Sequence, residues 1–489
     1  MKIATPESKG ISSKNILDYV NLLEEYRLAT HNIIIARGDR IIFEQYWSPF
    51  HADFLHRQYS VSKSIVSLAV GFALQDGLLH IDDPIGKYFA DELENHNKDR
   101  IFSQTIRNML TMENVVAGRG WFGARPTDLV QHYFSNSAQQ SRPAGTIFEY
   151  DSTGAFVLCA LVERLTGEKL MDYLRHKLFD KIGVSKDAYC LTCPGGHSWG
   201  DSAILCKPRD MLKIARFVMN KGNWDGEQLL DSEYLTAATS CQVQSARGNQ
   251  HGYDSHGYGY LIWRTWDNSF SFNGMGSQFA ICVPEKDLIM IYNGDNQGNA
   301  IANSIIFDNF FRIIARTAQN STLPEDPASN ALLNSPRTLY HANGIYPNNF
   351  QTMIDGATYT LSPNPMGITK LRLSFTQPNC KLEYTNAQGD KTLFFGLNEN
   401  QFGDFPEEGY SNEVGGERTT DYFYHCAASA AWIEEKKLFI QVQIIDKYFG
   451  RLNITLSFQD KDTLGVYMNK TAEDFLDTYQ GFASGTRIN

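Results

Sequence analysis

The chain has 489 residues, of which 42% are hydrophobic and 12% aromatic, with a formal net charge of −11 at pH 7. That length calls for two domains or one large domain with an appendage, and the apolar content excludes large-scale disorder. The acidic balance and the lack of a basic stretch exclude nucleic acid as a partner.

Met1 to Leu28 has no apolar signal-like core, so the expected location is cytoplasmic. Residues 12–28 read as an amphipathic helix with serine caps. Ile33–Ala36 and Ile41–Phe43 flank Arg37-Gly38-Asp39-Arg40, a hairpin signal. An apolar run from Ile65 to Leu74 follows Ser60 and stops at Asp76-Gly77. It is too short and interrupted to cross a membrane and predicts a buried helix ended by glycine. Residues 82–184 are mostly helical in pattern, most clearly at 153–167, and another helix is predicted within 207–222. Strands are predicted at 257–264, 269–273, 279–283 and 288–292, and a helix at 300–315.

The expected class is α+β. One antiparallel sheet is flanked by helices and carries an inserted all-helical subdomain, within a domain of residues 1–320. Residues 321–337 are rich in Pro, Ser, Asn and Asp and read as a linker. Residues 338–489 then alternate, as in Leu371/Leu373/Phe375 and Leu438/Ile440/Val442/Ile444, with breaks at 387–390, 434–437 and 459–462. They predict an all-β domain, a barrel or a sandwich.

Chemistry is concentrated in three places. Ser60-Val61-Ser62-Lys63 puts a hydroxyl and an amine three residues apart, on one helix face. An alcohol is a poor nucleophile until a base takes its proton, and a neighbouring lysine in a desolvated place can do so. The helix N-terminus would favour an oxyanion there. Phe148-Glu149-Tyr150-Asp151-Ser152 precedes the 153–167 helix, so Tyr150 could relay protons, with Ser152 capping. In Phe272-Asn273-Gly274-Met275-Gly276-Ser277-Gln278 the glycines let backbone approach a ligand, and an amide there could face that of Ser60.

Together these resemble the serine β-lactamase and penicillin-binding-protein superfamily, in its class C-like branch. That branch includes β-lactamases, peptidases, esterases and 6-aminohexanoate-oligomer hydrolases. Further matching segments are Pro6-Glu7 with Gly10, Ile106–Met112, Pro143–Gly145, Pro208–Met211 and Pro284–Leu288. The resemblance implies Ser60 as nucleophile, Lys63 as base, Tyr150 as its proton-shuttling partner, and the amides of Ser60 and Met275 as the oxyanion hole. Ser152, Trp199, Asn273, Gly274 and Gly276 would line the substrate pocket. No cofactor and no metal are implied.

Two departures bear on substrate. The family's Tyr-x-Asn is Tyr150-Asp151-Ser152, and its Lys-Thr-Gly has no cation here, where Asn273-Gly274 stands. Losing that cation weakens recognition of a substrate carboxylate. The expected reaction is therefore cleavage of a small-molecule or peptide-like ester or amide, rather than dedicated β-lactam hydrolysis. The pattern sets no oligomeric state. Two alternatives are a catalytically weak binding protein on the same fold, and a hydrolase using Ser198 in Gly196-His197-Ser198-Trp199-Gly200, a G-x-S-x-G match. Cys190, Cys193 and His197 suggest a zinc set but lack a second ligand pair, so the cysteines read as thiols, with Cys159 and Cys282 buried.

Overall fold

A computed structural model describes residues 1–93, 99–115, 126–135, 142–246, 248, 250–376, 380–410, 418–472 and 478–488. Contacts divide the chain into two compact units, residues 1–339 and most of residues 340–489.

In the first unit Ser12 caps α1 (Ser13–Glu25), accepting from the Asn15 amide. The hairpin forms as β1 (Thr30–Arg37) and β2 (Arg40–Ser48). After it come α2 (Val61–Gln75), α3 (Ser152–Thr166) and α4 (Pro208–Met219). The chain then returns to the sheet through β3 (Trp263–Thr265), β4 (Ser269–Gly274), β5 (Gln278–Val283) and β6 (Leu288–Gly294). The helix α5 (Ala302–Asn309) closes the unit and continues as a π-helical turn. The sheet order is β2-β1-β6-β5-β4-β3, antiparallel throughout. Lys2–Ile3 and Arg337–Thr338 add short parallel pairings to β2. One face packs against α1 and α5 in a core that includes Ile16, Val20, Ile33, Met290 and Phe307. The helices between β2 and β3 supply the inserted subdomain, with a small sheet of His56–Arg57, Ile204–Cys206 and Tyr189–Cys190.

Two expectations change. The predicted strand at 257–264 is a turn-rich segment of which β3 keeps the end. Gly257 (φ 102) and Leu261 (φ 56) both take positive φ, which no strand accommodates. Residues 321–337, read as a linker, hold a helix, Pro327–Leu333, capped by Asp326 and anchored by buried Leu333. Arg337 donates to Glu24 at 2.6 Å.

The second unit has ten strands among the described residues, nine of which close a barrel. Its strands are β7 (Thr358–Leu361), β8 (Lys370–Ser374), β9 (Cys380–Asn386), β10 (Gly389–Leu397), β11 (Gln401–Tyr410), β12 (Arg418–Glu434), β13 (Lys437–Ile444), β14 (Arg451–Phe458), β15 (Thr463–Thr471) and β16 (Tyr479–Arg487). The order β10-β9-β8-β7-β16-β15-β14-β13-β12 closes when β10 pairs in parallel with β12 through Gly396–Ser429 and Leu397–Ala430, while β11 pairs antiparallel further along the same edge of β12, from Gln401–Ala428 onward. Alternate residues fill the inside, among them Leu371, Leu382, Trp432, Ile440 and Leu456. Among the described residues of both units no helix is long and apolar enough to cross a membrane.

Candidate active site

The strand His56–Arg57 leads into Tyr59, whose φ of 47 is costly for so bulky a residue. Ser60 follows as the cap of α2, and its side chain makes no capping hydrogen bond. Its hydroxyl instead accepts from Lys63 Nζ at 2.8 Å. Lys63 is 1% exposed, and its Nζ also donates to the Asp201 carbonyl at 2.9 Å. The other serines of α2 fix the helix. Ser62 accepts from the Ile204 amide, Ser64 donates to the Leu261 carbonyl, and Ser67 meets the Tyr234 hydroxyl.

Tyr150 lies just ahead of α3, with its ring centre 5.2 Å from Lys63 Nζ. It stacks on Trp263 at 5.4 Å and meets Tyr258 edge-on. These two aromatics come from the segment expected to be a strand. The cap of α3 is Asp151, not Ser152 as expected. The Asp151 carboxylate accepts from the amides of Thr153 and Gly154, each at 2.9 Å, and from Asn114 Nδ2 at 2.6 Å. A carboxylate at a helix N-terminus is also favoured by the dipole. Ser152 is left as the first helical residue, partly buried.

The end of β4 reaches the same place. A Cβ on Gly274 would lie 2.4 Å from the Gln58 carbonyl oxygen and 3.3 Å from the Ser60 amide nitrogen. Only glycine allows that approach. Beyond it the turn is pinned from below. Gln278 Nε2 donates to the carbonyls of Met275 (3.1 Å) and Gly294 (2.6 Å), its Oε1 accepts from Asn293, and the Gly276 carbonyl accepts from the Asn296 amide. The Met275 side chain is exposed. Asn273 Oδ1 is buried and has no hydrogen-bond partner among the described residues.

Sequence reasoning missed Asp201. It is fully buried, with Oδ2 3.8 Å from Lys63 Nζ, and neither carboxylate oxygen has a hydrogen-bond partner among the described residues. Burial pushes its pKa up to about 7, against the opposing pull of the Lys63 charge. Its place 138 residues from Lys63 gives no spacing signal.

Two expectations fail here. Trp199 does not line an open pocket. It is 0% exposed, and the Arg57 guanidinium lies 4.4 Å from both its ring and that of Tyr59. Ser198 is not on a strand-to-helix elbow. It sits in the loop joining Tyr189–Cys190 to Ile204–Cys206, its amide facing Glu163, while the next helix begins at Pro208. His197 Nδ1 meets Glu163 at 2.8 Å, and Cys193 Sγ donates to the His197 carbonyl. Cys159 and Cys282 are buried, as expected.

The β-lactamase family model matches residues 19–302 of this chain. The chain belongs to the β-lactamase family. Among curated relatives of this family member, the 6-aminohexanoate-dimer hydrolase of Paenarthrobacter ureafaciens is 23% identical over 279 residues, 53% of this chain and 70% of that protein. A solved Bacillus anthracis protein described as a 6-aminohexanoate-dimer hydrolase aligns with a TM-score of 0.54 at 16% identity, covering 66% of this chain and 89% of that one. EstCE1, a hydrolase with promiscuous acyltransferase activity, aligns at 0.50 and 15% identity, covering 61% and 99%. The chain is thus a β-lactamase-fold hydrolase.

Proposed function

We propose that this chain cleaves an ester or amide bond through an acyl-enzyme on Ser60, with Lys63 and Tyr150 as the proton-transfer pair. The observation that carries this reading is the 2.8 Å hydrogen bond from Lys63 Nζ to Ser60 Oγ at the head of α2. The proton travels that line in reverse when the amine acts as base. Ser60 Oγ attacks the carbonyl carbon, and the amine, coupled to Tyr150, takes the hydroxyl proton. The developing oxyanion sits between the amides of Ser60 and Met275, the second held in place by the Gln278 bonds. The leaving group takes a proton from the Lys63–Tyr150 pair, and water releases the acyl group.

A substrate without a carboxylate at this end suits the site, because Asn273-Gly274 brings no cation. Its amide side chain carries one unpartnered buried acceptor, fit for a substrate N–H. The 6-aminohexanoate dimer named for the Paenarthrobacter relative and the acyl transfer named for EstCE1 support amides and esters as the classes to test.

A fluorophosphonate probe tests the nucleophile, and p-nitrophenyl esters, linear amides, D-aminoacyl amides and nitrocefin test the class. We expect labelling at Ser60, loss of both labelling and turnover in Ser60→Ala, and esters or amides turned over faster than nitrocefin. Turnover retained by Ser60→Ala overturns the assignment.

A further inference from the structure

We propose that the cleft at the far end of β4 from Gly274 binds a small anion, a carboxylate or a phosphate. The cleft has a volume of about 610 Å³, and its walls include Lys221, Thr239, Arg264, Thr265 and Glu285. That volume is typical of small-molecule sites. Arg264 pairs across the sheet with Phe270, four residues along the strand from Gly274, or roughly 13 Å at the usual rise. The proposal therefore stands apart from the chemistry at Ser60.

Two cations converge there on one residue. Lys221 Nζ donates to Thr239 Oγ1 at 2.5 Å, and Arg264 Nη1 donates to the Thr239 carbonyl at 2.8 Å. Neither is held by a carboxylate among the described residues; Arg264's remaining hydrogen bond goes to the Asn268 amide side chain. Burial pulls both below their ordinary pKa values, and the Arg264 charge lowers Lys221 further. His256, also in the wall, is lowered by burial and then by Arg264, while Asp254 and Asp267 pull it the other way. Two cations thus face the cleft, and their charges oppose one another.

Arg264 shares a sheet face with its cross-strand partner Phe270, which also lines the cleft, and Thr239 holds both cations there. An anion between them would accept a charge-assisted hydrogen bond from each. Glu285, the acid among the lining residues, is exposed. It opposes an anion from the outside and limits affinity.

Titration calorimetry and thermal melting of the full chain with inorganic phosphate and with succinate, against chloride at matched ionic strength, test the site. We expect one of the two to bind saturably at one per chain and to raise Tm. Phosphate binding with succinate inert assigns a phosphate ligand, and the reverse assigns a carboxylate. Lys221→Gln and Arg264→Gln should each weaken binding at least tenfold, and Glu285→Gln should tighten it. The Lys221→Gln and Arg264→Gln variants should both keep a cooperative melting transition without ligand. Binding no stronger than chloride, or equal binding by wild type, Lys221→Gln and Arg264→Gln, overturns the proposal.

Discussion

The Asp201 carboxylate lies 3.8 Å from the Lys63 ammonium, in an interior where neither of its oxygens accepts a hydrogen bond among the described residues. Burial raises this acid from its ordinary 3.8 to about 7. Between those values the folded state holds a proton that the unfolded state has lost. The stability contributed by this group is therefore full below about pH 4 and is lost as pH rises toward 7. Asp201→Asn removes that slope. The stability of the variant relative to wild type should climb between pH 4 and 7 by on the order of 4 kcal/mol and then level off. Urea unfolding across that range checks it; parallel curves for the two proteins would show that Asp201 does not titrate there.

The same substitution changes catalysis. Above about pH 7, where Asp201 is ionised, its charge beside the amine favours the protonated form of the proposed base. Removing it should move the acid limb of kcat/KM to lower pH by about one unit, given the 3.8 Å separation and the counter-effect of the retained Asp201 carbonyl contact. A pH profile with a p-nitrophenyl ester measures this, and an unmoved acid limb would dissociate Asp201 from proton transfer.

Lys63→Met keeps the bulk of the side chain and removes its nitrogen. The proposed base is lost, so acylation should fall by about three orders of magnitude or more. Stopped-flow acylation with an activated ester reads this directly. Near wild-type acylation would mean another group takes the Ser60 proton.

Gly274→Ala introduces a Cβ 2.4 Å from the Gln58 carbonyl oxygen and 3.3 Å from the Ser60 amide. Backbone must shift at the point where the two proposed oxyanion donors meet. kcat should drop by roughly 10- to 1000-fold, the scale of a damaged oxyanion hole, with a stability cost of about 1–3 kcal/mol. KM for the same substrate should change far less than kcat.

Asp151→Ala strips α3 of a cap that bonds two amides, the Thr153 hydroxyl and Asn114. It should cost about 2–3 kcal/mol, whereas Ser152→Ala should stay within about 0.5 kcal/mol. Denaturant midpoints of the two variants separate these roles.

The elements legible in the sequence were those whose pattern is local. The barrel strands bury one face at a fixed period, while β1, α2 and α3 stand out as near-continuous apolar runs, and turn or cap residues mark their ends. The Ser60–Lys63 pair was legible for the same reason, since one helical turn sets its spacing. Asp201 was not, because only tertiary folding brings it to Lys63. Trp199 was misread because proximity in the chain to a polar loop says nothing about Arg57, which stacks on its ring from another segment. The segment before β3 looked like a strand by composition, but its aromatics serve as packing for Tyr150, and two positive φ angles keep it off the sheet.

Thirteen of the fifteen residues of α2 are buried, and a Cβ on its Gly71 would strike the Tyr234 ring at 2.5 Å. A helix enclosed on every side has almost no tolerated neighbours in sequence space. Divergence toward new substrates would then have to come from the rim of the pocket, with the proposed attacking group left as the fixed point around which it is varied.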